Sequence, residues 1–388
     1  MLPRFRNAGL MAATALLAAG CGDGEDPVTP PTTGTISINI ETVGGLPDPN
    51  GYQVTRAGAA PLDVPVNGSV RLDSVAPGSH TLVLGKASLY CVVENGSTQA
   101  AQVVAGQTAQ VTFHVRCERN GVAYTRFNNN VTSLHIAFAG REPVTLATGI
   151  SPSRMRFSPD RRRIAYSAIP AGGTALGIFT IDLDSLGVTQ VTPAGSPFRS
   201  HPSWSPDGTR IAYVTTNEVR VIRLGETTET TIWRAPAGMY PTMPTWSPDG
   251  TRIAFVRAPE NVNDITRVFV INADGTGESE AITLRSYPYL QIDWSPDGST
   301  LLYSDQDPEQ PSAVYTTPAA GGIVTRVASA PNRGYRNATY LPDGRIGFYA
   351  QEYPGGAPAG SWIVNADGTG LTQAALPLPT GSPIVAWQ

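Results

Sequence analysis

Few side chains in this sequence are suited to acid–base chemistry, because histidine occurs at only four positions. His201 lies beside Arg199 in a segment that varies between otherwise similar repeats. An imidazole with arginine and tyrosine neighbours could serve a lyase or a hydrolase. No Gly-x-Ser-x-Gly, His-Glu-x-x-His, phosphate-binding loop or dinucleotide fingerprint accompanies it. An enzyme with its active site around His201 is therefore the alternative hypothesis rather than the first.

Acidic segments that could hold calcium are better explained as turns. Residues 272–275 and 365–368 both read Asn-Ala-Asp-Gly, but the further oxygen ligands and closing glutamate of a calcium loop are missing. We interpret them as turns between strands. Asp305, Asp307 and Glu309 form an acidic loop, for which solvation is the first interpretation and calcium the alternative. We predict no metal site and no cofactor.

Two of the three cysteines are placed to form a disulfide. Cys91 alternates with Leu89 and Val93, and Cys117 alternates with the apolar residues of another β-run, so each points to the buried face of a strand. Two free thiols or a metal pair are the alternatives. No partner at metal-ligand spacing accompanies them, so we predict the bond between Cys91 and Cys117.

The third cysteine follows an export signal. Residues 1–20 carry Arg4 and Arg6 and then an apolar run too short to span a bilayer, which indicates a signal peptide. The sequence Leu-Ala-Ala-Gly-Cys ending at Cys21 resembles the lipobox of bacterial lipoproteins. That resemblance implies a lipid on Cys21, and Gly22 after it implies the outer membrane. An ordinary cleaved signal is the alternative.

Composition predicts a turn-rich β protein without affinity for nucleic acid. The chain of 388 residues contains 40 Gly and 34 Pro. Its formal charge is −4, whereas nucleic-acid binding needs a basic surface. The Pro- and Thr-rich residues 21–34 cannot form a core, so we expect a flexible tether there.

Residues 35–117 predict a small β-sandwich. Short alternating runs, such as Ile36, Ile38 and Ile40, are separated by turn dipeptides such as Asn67-Gly68. The pattern, with Val-Ala-Pro-Gly-Ser-His-Thr-Leu at 75–82, is similar to immunoglobulin-like or PEGA-type domains.

A repeat of roughly 45 residues follows and predicts propeller blades. Each unit has a strand ending in an aromatic residue, a tight Ser-Pro-Asp-Gly type turn, and a second strand that is apolar on both faces. Third and fourth strands complete a blade. The framework residues are Phe157, Trp204, Asp207, Trp246, Asp249, Trp294, Asp297, Tyr340, Asp343 and Trp387.

The two ends of the repeat region complement each other. Residues 121–125 match a second strand without a first strand before it, and residues 383–387 match a first strand without a second after it. We therefore predict six blades, closed by pairing N- and C-terminal strands in one blade, so that no sheet edge is left free.

The Trp-Ser-Pro-Asp-Gly core is similar to the WD40-like Pro-Asp repeats of TolB-type β-propellers. The resemblance covers residues 120–388. It implies a six-bladed propeller that acts as a binding module. TolB itself carries an α/β domain before its propeller, whereas this chain carries a sandwich and a lipobox, so the resemblance does not extend to a Tol–Pal role. The predicted fold class is all-β: a sandwich followed by a propeller.

Candidate ligand-binding residues stand three to five positions before each framework aromatic, near the expected mouth of the central channel. They vary between repeats, as a binding face would, although drift of loops or simple filling of the channel explains the variation too. They are Arg154, Arg199, His201, Tyr289, Gln291, Tyr335, Arg336 and Asn337.

These observations lead to one leading hypothesis. We expect a monomeric, non-catalytic outer-membrane lipoprotein whose propeller rim binds a protein, a peptide or an envelope polymer. Arginine at the rim favours a ligand with an acidic group.

Overall fold

The computed structural model describes residues 30–44, 48, 50–117, 121–128, 131–138, 141–148, 153–169, 173–193, 198–261, 265–284, 291–305, 313–329, 333–341, 343–352, 360–374 and 384–387. All regular secondary structure in these ranges is β-strand, as predicted. A helix of the length and hydrophobicity needed to cross a membrane is not found among them. The predicted signal peptide, Cys21 and most of the tether lie outside the described residues.

The N-terminal region contains two four-stranded sheets. The strands are β1 (Gly34–Val43), β2 (Tyr52–Arg56), β3 (Leu62–Val64), β4 (Ser69–Val75), β5 (Gly78–Gly85), β6 (Cys91–Val93), β7 (Thr98–Val103) and β8 (Thr108–Cys117). The first sheet has the order β4-β1-β8-β6, with β1 and β8 parallel. The second sheet has the order β3-β2-β5-β7.

One hydrophobic cluster joins the inner faces of both sheets. Ile36, Ile38 and Ile40 are buried at alternate positions of β1 and pack in the same cluster as Leu82 of β5 and Phe113 of β8. Alternation with period two is what a strand needs to bury one face. The two sheets therefore share a core, as expected for a sandwich.

The predicted disulfide is confirmed. Cys91 on β6 stands directly opposite Cys117 on β8, and the two sulfur atoms are bonded. Both side chains are buried. The bond ties the segment before β6 to the last strand of the sandwich.

Six further four-stranded sheets form the propeller, and we number them blades 1 to 6. Blade 1 holds β9 (Gly121–Asn128), β10 (Val131–Phe138), β11 (Val144–Thr148) and β32 (Ile384–Trp387). Blade 2 holds β12 (Ser153–Phe157), β13 (Arg163–Ala168), β14 (Gly177–Asp182) and β15 (Val188–Gln190). Blade 3 holds β16 (Ser200–Trp204), β17 (Arg210–Val214), β18 (Glu218–Arg223) and β19 (Glu229–Arg234).

The remaining blades repeat this order. Blade 4 holds β20 (Met239–Trp246), β21 (Arg252–Pro259), β22 (Thr266–Asn272) and β23 (Ser279–Leu284). Blade 5 holds β24 (Ile292–Trp294), β25 (Thr300–Asp305), β26 (Ala313–Pro318) and β27 (Thr325–Ser329). Blade 6 holds β28 (Arg333–Tyr340), β29 (Ile346–Glu352), β30 (Gly360–Val364) and β31 (Thr372–Gln373).

Strands from both ends of the repeat region share blade 1. β32 pairs antiparallel with β9, with Trp387 opposite Val122. The innermost strands β32, β12, β16, β20, β24 and β28 each contact the next, and β28 contacts β32. The blades thus form a ring around a central channel.

The turns that connect the strands of each blade lie on two opposite faces of the ring. The bottom face is defined as the face that carries the turns between the first and second strands and between the third and fourth strands. The top face carries the turns between second and third strands and the entry into each first strand. The Ser-Pro-Asp-Gly turns lie on the bottom face, where Gly208 has a left-handed φ of 67° that its lack of a side chain permits.

Arginine–tryptophan stacking joins neighbouring blades. The guanidinium carbons of Arg163, Arg210 and Arg252 lie 4.9, 4.6 and 4.8 Å from the ring centres of Trp204, Trp246 and Trp294, each on the next blade. Between blades 5 and 6, Thr300 replaces the arginine, and its hydroxyl lies 3.3 Å from the Tyr340 hydroxyl. The repeated aromatics are therefore packing residues, as the sequence predicted.

Candidate functional site

The predicted rim residues coincide with a repeated irregularity of the innermost strands. His201, Met243 and Asn337 each stand three positions before a framework aromatic and have left-handed φ angles of 57°, 52° and 56°. The pairing register shifts at each of these places. A β-bulge frees a residue from the ladder, and bulges with strained backbone are common at binding sites. The top end of the channel is therefore built from residues released from strand pairing.

Hydroxyl groups surround His201. Its Nδ1 lies 2.8 Å from Ser200 Oγ, and its Nε2 lies 3.5 Å from Thr242 Oγ1 on the next blade. Its backbone N–H donates to Ser167 Oγ on the preceding blade at 3.2 Å. These contacts place His201 at the junction of blades 2, 3 and 4.

Arg199 does not stand open at the rim, which corrects the prediction. Its side chain is 5% exposed and its Nε donates to Glu229 Oε1 at 2.7 Å. Arg220 donates to the other Glu229 oxygen at 2.8 Å. Burial opposes ionisation of Glu229, but hydrogen bonds from Arg199 and Arg220 hold its pKa below the usual range. Arg199 thus belongs to a buried ion-pair network inside blade 3.

Tyr335 is a core residue rather than a rim residue, and this too is a correction. It is 1% exposed and packs edge-on against Phe348, with ring centres 5.0 Å apart. Its aromatic ring fills the interior of blade 6. Tyr289 and the side chains of Arg154 and Arg336 lie outside the described residues.

Gln291 is buried within the channel, where it meets a residue the sequence reasoning missed. With its amide oxygen turned to the guanidinium, Gln291 Oε1 accepts from both Nη1 and Nη2 of Arg156 at 3.1 Å. Arg156 Nη1 also donates to the Met155 carbonyl at 3.2 Å. Arg156 lies on blade 2 and Gln291 adjoins β24 of blade 5, so this contact spans the channel between opposite blades.

Asp293, two residues after Gln291, supplies the opposite charge. Its Oδ2 accepts from the Thr339 hydroxyl and, at 2.9 Å, from the Tyr340 backbone N–H, while its Oδ1 accepts from the Trp294 N–H at 3.0 Å. Burial raises the pKa of Asp293, and burial likewise lowers the pKa of Arg156. The centre of the channel therefore holds a partly buried pair of opposite charges that act on each other without a direct ion pair.

Comparison with known proteins identifies the repeat region. Residues 199–369 match the family described as the TolB beta propeller domain. This part of the chain is therefore similar to TolB beta propeller domains. No curated protein matches the chain.

Solved structures share the fold of the TolB-type propeller. TolB from Acinetobacter baumannii is 18% identical with a TM-score of 0.55, and the alignment covers 69% of this chain and 66% of that one. The chain thus spans slightly less than two thirds of that protein. A putative TolB from Agrobacterium tumefaciens is 14% identical (TM-score 0.49, covering 66% and 88%). An oligogalacturonate lyase from Vibrio parahaemolyticus is 13% identical (0.48, covering 67% and 73%).

A signal for the central pair was present in the repeats of the TolB-type propeller. The residue directly before the framework aromatic is Ser203, Thr245 or Thr339 in three repeats and Ala386 in a fourth, but it is Arg156 or Asp293 in the other two. Charged residues at an otherwise uncharged position, in repeats that lie opposite in a six-bladed ring, indicate a pair across the channel.

The sandwich contacts the bottom face of the TolB-type propeller at blades 1 and 2. Arg141 Nη1 donates to the Leu89 carbonyl at 2.6 Å. Asp184 accepts from Arg162 Nε at 2.9 Å. Burial opposes ionisation of Asp184, but the nearby Ser88 hydroxyl of the sandwich and the hydrogen bonds from Arg162 hold its pKa below the usual range. The segment before Cys91 therefore lies against the propeller.

The acidic turns on the bottom face are local structures. Asp274 Oδ1 accepts from the backbone N–H of Thr276 at 2.9 Å, and Asp367 does the same with Thr369 at 2.9 Å. This is the turn that the sequence predicted. The described residues contain no group of three His, Cys, Asp or Glu that could hold a metal ion. Asp307, Glu309 and the side chain of Asp305 lie outside them.

Proposed function

We propose that this chain is a non-catalytic outer-membrane lipoprotein whose TolB-type propeller binds a protein, a peptide or an envelope polymer on its top face. Residues 1–20 are the signal peptide, Cys21 carries the lipid, residues 21–34 are the tether, 35–117 the sandwich and 120–388 the propeller. The protein acts as a monomer, without cofactor or nucleic acid.

The contact between the sandwich and the propeller carries the proposal. Arg141 and Asp184, which meet the sandwich, both belong to the bottom face. The proposed tether enters the sandwich at β1. We place the membrane anchor with the sandwich on the bottom side and the partner on the top face, at the channel mouth.

The top face also presents apolar side chains to solvent. Phe198 is 45%, Ile265 45% and Ile169 39% exposed, and each adjoins the top end of a strand in blades 2 to 4. Aromatic and branched side chains around a polar concavity are typical of protein-binding surfaces. His201 lies among these blades and supplies a polar contact.

Affinity capture from the native envelope with matched variants tests the proposal. The top-face variant combines Phe198→Ser with His201→Ala. The control, Ile323→Ser, removes an apolar side chain that is 84% exposed on the bottom face of blade 5. We expect the control to retain the partner of the parent protein and the top-face variant to lose it. Equal recovery by both variants would overturn the proposal.

Two further measurements test the proposed lipid anchor and the proposed lack of catalysis. Intact mass of protein from a bacterial envelope should show a diacylglyceryl thioether on an N-terminal Cys21, and a mature N-terminus elsewhere contradicts the anchor. If the parent cleaves the captured polymer or peptide and His201→Ala does not, the protein is an enzyme rather than a binding module.

A further inference from the structure

The guanidinium of Arg156 is held along two of its three hydrogen-bonding directions. Gln291 Oε1 occupies the end-on edge, where it accepts from Nη1 and Nη2 together. The Met155 carbonyl takes the remaining Nη1 hydrogen. The group is therefore fixed in one orientation before any ligand arrives, which lowers the entropic cost of binding.

The third direction is the side-on edge, formed by Nε–H and the second Nη2 hydrogen. Among the residues that the structure describes, no acceptor lies on this edge. Asp293 is near enough to act electrostatically on Arg156, yet its oxygens accept from Thr339, Tyr340 and Trp294 instead. Two parallel N–H groups at this edge match the two oxygens of a carboxylate.

The position of this edge limits what can reach it. Arg156 stands two residues further down the channel than the ring of His201, Met243 and Asn337, a depth of roughly 7 Å for an extended chain. The contact between Arg156 and Gln291 bridges the channel at that level. A ligand entering from the top face therefore meets this polar bridge, and a chain end can reach the side-on edge of Arg156 from above.

We propose that the side-on edge of Arg156 binds the C-terminal carboxylate of an extended peptide that enters the channel from the top face. This inference rests on the function proposed above and names its ligand. A peptide is a suitable ligand for the walls of the channel, because the innermost strands expose a backbone edge there. That edge can form hydrogen bonds with the backbone of an extended chain. Phe198 and Ile169 at the top face offer apolar contacts to the side chains that precede the terminus.

A comparison of free-acid and amidated peptides tests the inference on the full-length protein. The probes are fluorescent pentapeptide pools of random sequence that differ only in a C-terminal carboxylate or carboxamide, with oligogalacturonate as a non-peptide acid. We expect the free-acid pool to bind about 10- to 100-fold more tightly than the amide pool, as measured by fluorescence anisotropy. Equal affinity of the two pools, or binding of oligogalacturonate alone, overturns the inference.

Variants locate the effect. Arg156→Lys keeps the charge but loses the bidentate edge, and Gln291→Glu places a negative group beside the guanidinium. Both should remove the preference for the free acid, whereas Arg223→Lys on the bottom face should keep it. A preference that survives in folded Arg156→Lys refutes the site. The unmodified protein decides the question even if a variant is unstable, because the acid–amide comparison needs no substitution.

Failure here is distinguishable from failure of the proposed function. If the pools bind equally but affinity capture still depends on Phe198 and His201, the top face binds a partner without using Arg156. If capture also ignores the top face, both proposals fall.

Discussion

Arg156 and Gln291 belong to opposite blades, and Gln291 Oε1 accepts two hydrogen bonds of 3.1 Å from the Arg156 guanidinium across the central channel. A side chain from one blade therefore touches the far wall. The channel is therefore bridged by a polar contact at this level. Asp293 lies near enough to this bridge to act electrostatically on Arg156.

The stacking between blades predicts a stability effect. Arg252→Ala removes the stack on Trp294 and the hydrogen bond from Nη2 to the Gly298 carbonyl at 3.0 Å. We expect a loss of about 1–3 kcal/mol in unfolding free energy, measured by urea denaturation. Arg223→Ala, an exposed bottom-face control, should change stability by less than about 0.5 kcal/mol. Equal effects of the two substitutions would contradict the role of the stack.

The strand at the C-terminal end predicts an unusual sensitivity to truncation. Deleting residues 383–388 removes β32, the inner partner of β9. Terminal deletions are normally tolerated, but here an unpaired strand edge would open inside the ring. We expect aggregation or a large fall in Tm, measured by scanning fluorimetry and size-exclusion chromatography, while deletion of Gln388 alone has little effect. A truncated protein that melts like the parent means that β32 does not hold the ring.

The turn aspartates predict an acid-dependent loss of stability. Hydrogen bonds from Ser247 and the Thr251 backbone lower the pKa of Asp249 from 3.8 to about 2. Because the folded-state pKa lies below the unfolded one, the stabilisation is complete above about pH 4 and is lost as the pH falls toward 2. Asp249→Asn cannot titrate, so its Tm should fall less steeply over this range. Asp63→Asn, at a side chain 82% exposed, is the control and should follow the parent.

The ion pair of blade 3 predicts that Arg199 is structural. Arg199→Ala leaves the Glu229 carboxylate, only 11% exposed, with Arg220 as its remaining charged partner. Removing one member of a buried pair costs about 3 kcal/mol or more. The double variant Arg199→Met with Glu229→Leu should recover part of that loss in urea denaturation. If Arg199→Ala has the same urea denaturation midpoint as the parent, Arg199 is not structural and is again a candidate for ligand binding at the rim.

Much of the architecture was predictable because local chemistry repeats along the chain. The Ser-Pro-Asp-Gly turns and the aromatic before each recur at one period, and each unit needs only its neighbours to bury its faces. The pairing of Cys91 with Cys117 followed from strand parity, because each run alternates buried and exposed positions. The rim was predicted only in part, since His201 and Asn337 lie at bulges of the innermost strands while Arg199 and Tyr335 turned inward.

The sequence by itself determined the elements: turns, strand periodicity, the number of blades and which cysteines share an inward face. These depend on interactions between residues close in the chain or equivalent in the repeat. Only the tertiary structure decided which charges meet, because Arg156, Gln291 and Asp293 come together through ring closure and not through sequence proximity. It likewise decided that Arg199 turns to Glu229, since a partner thirty residues away becomes a neighbour only when the blade folds.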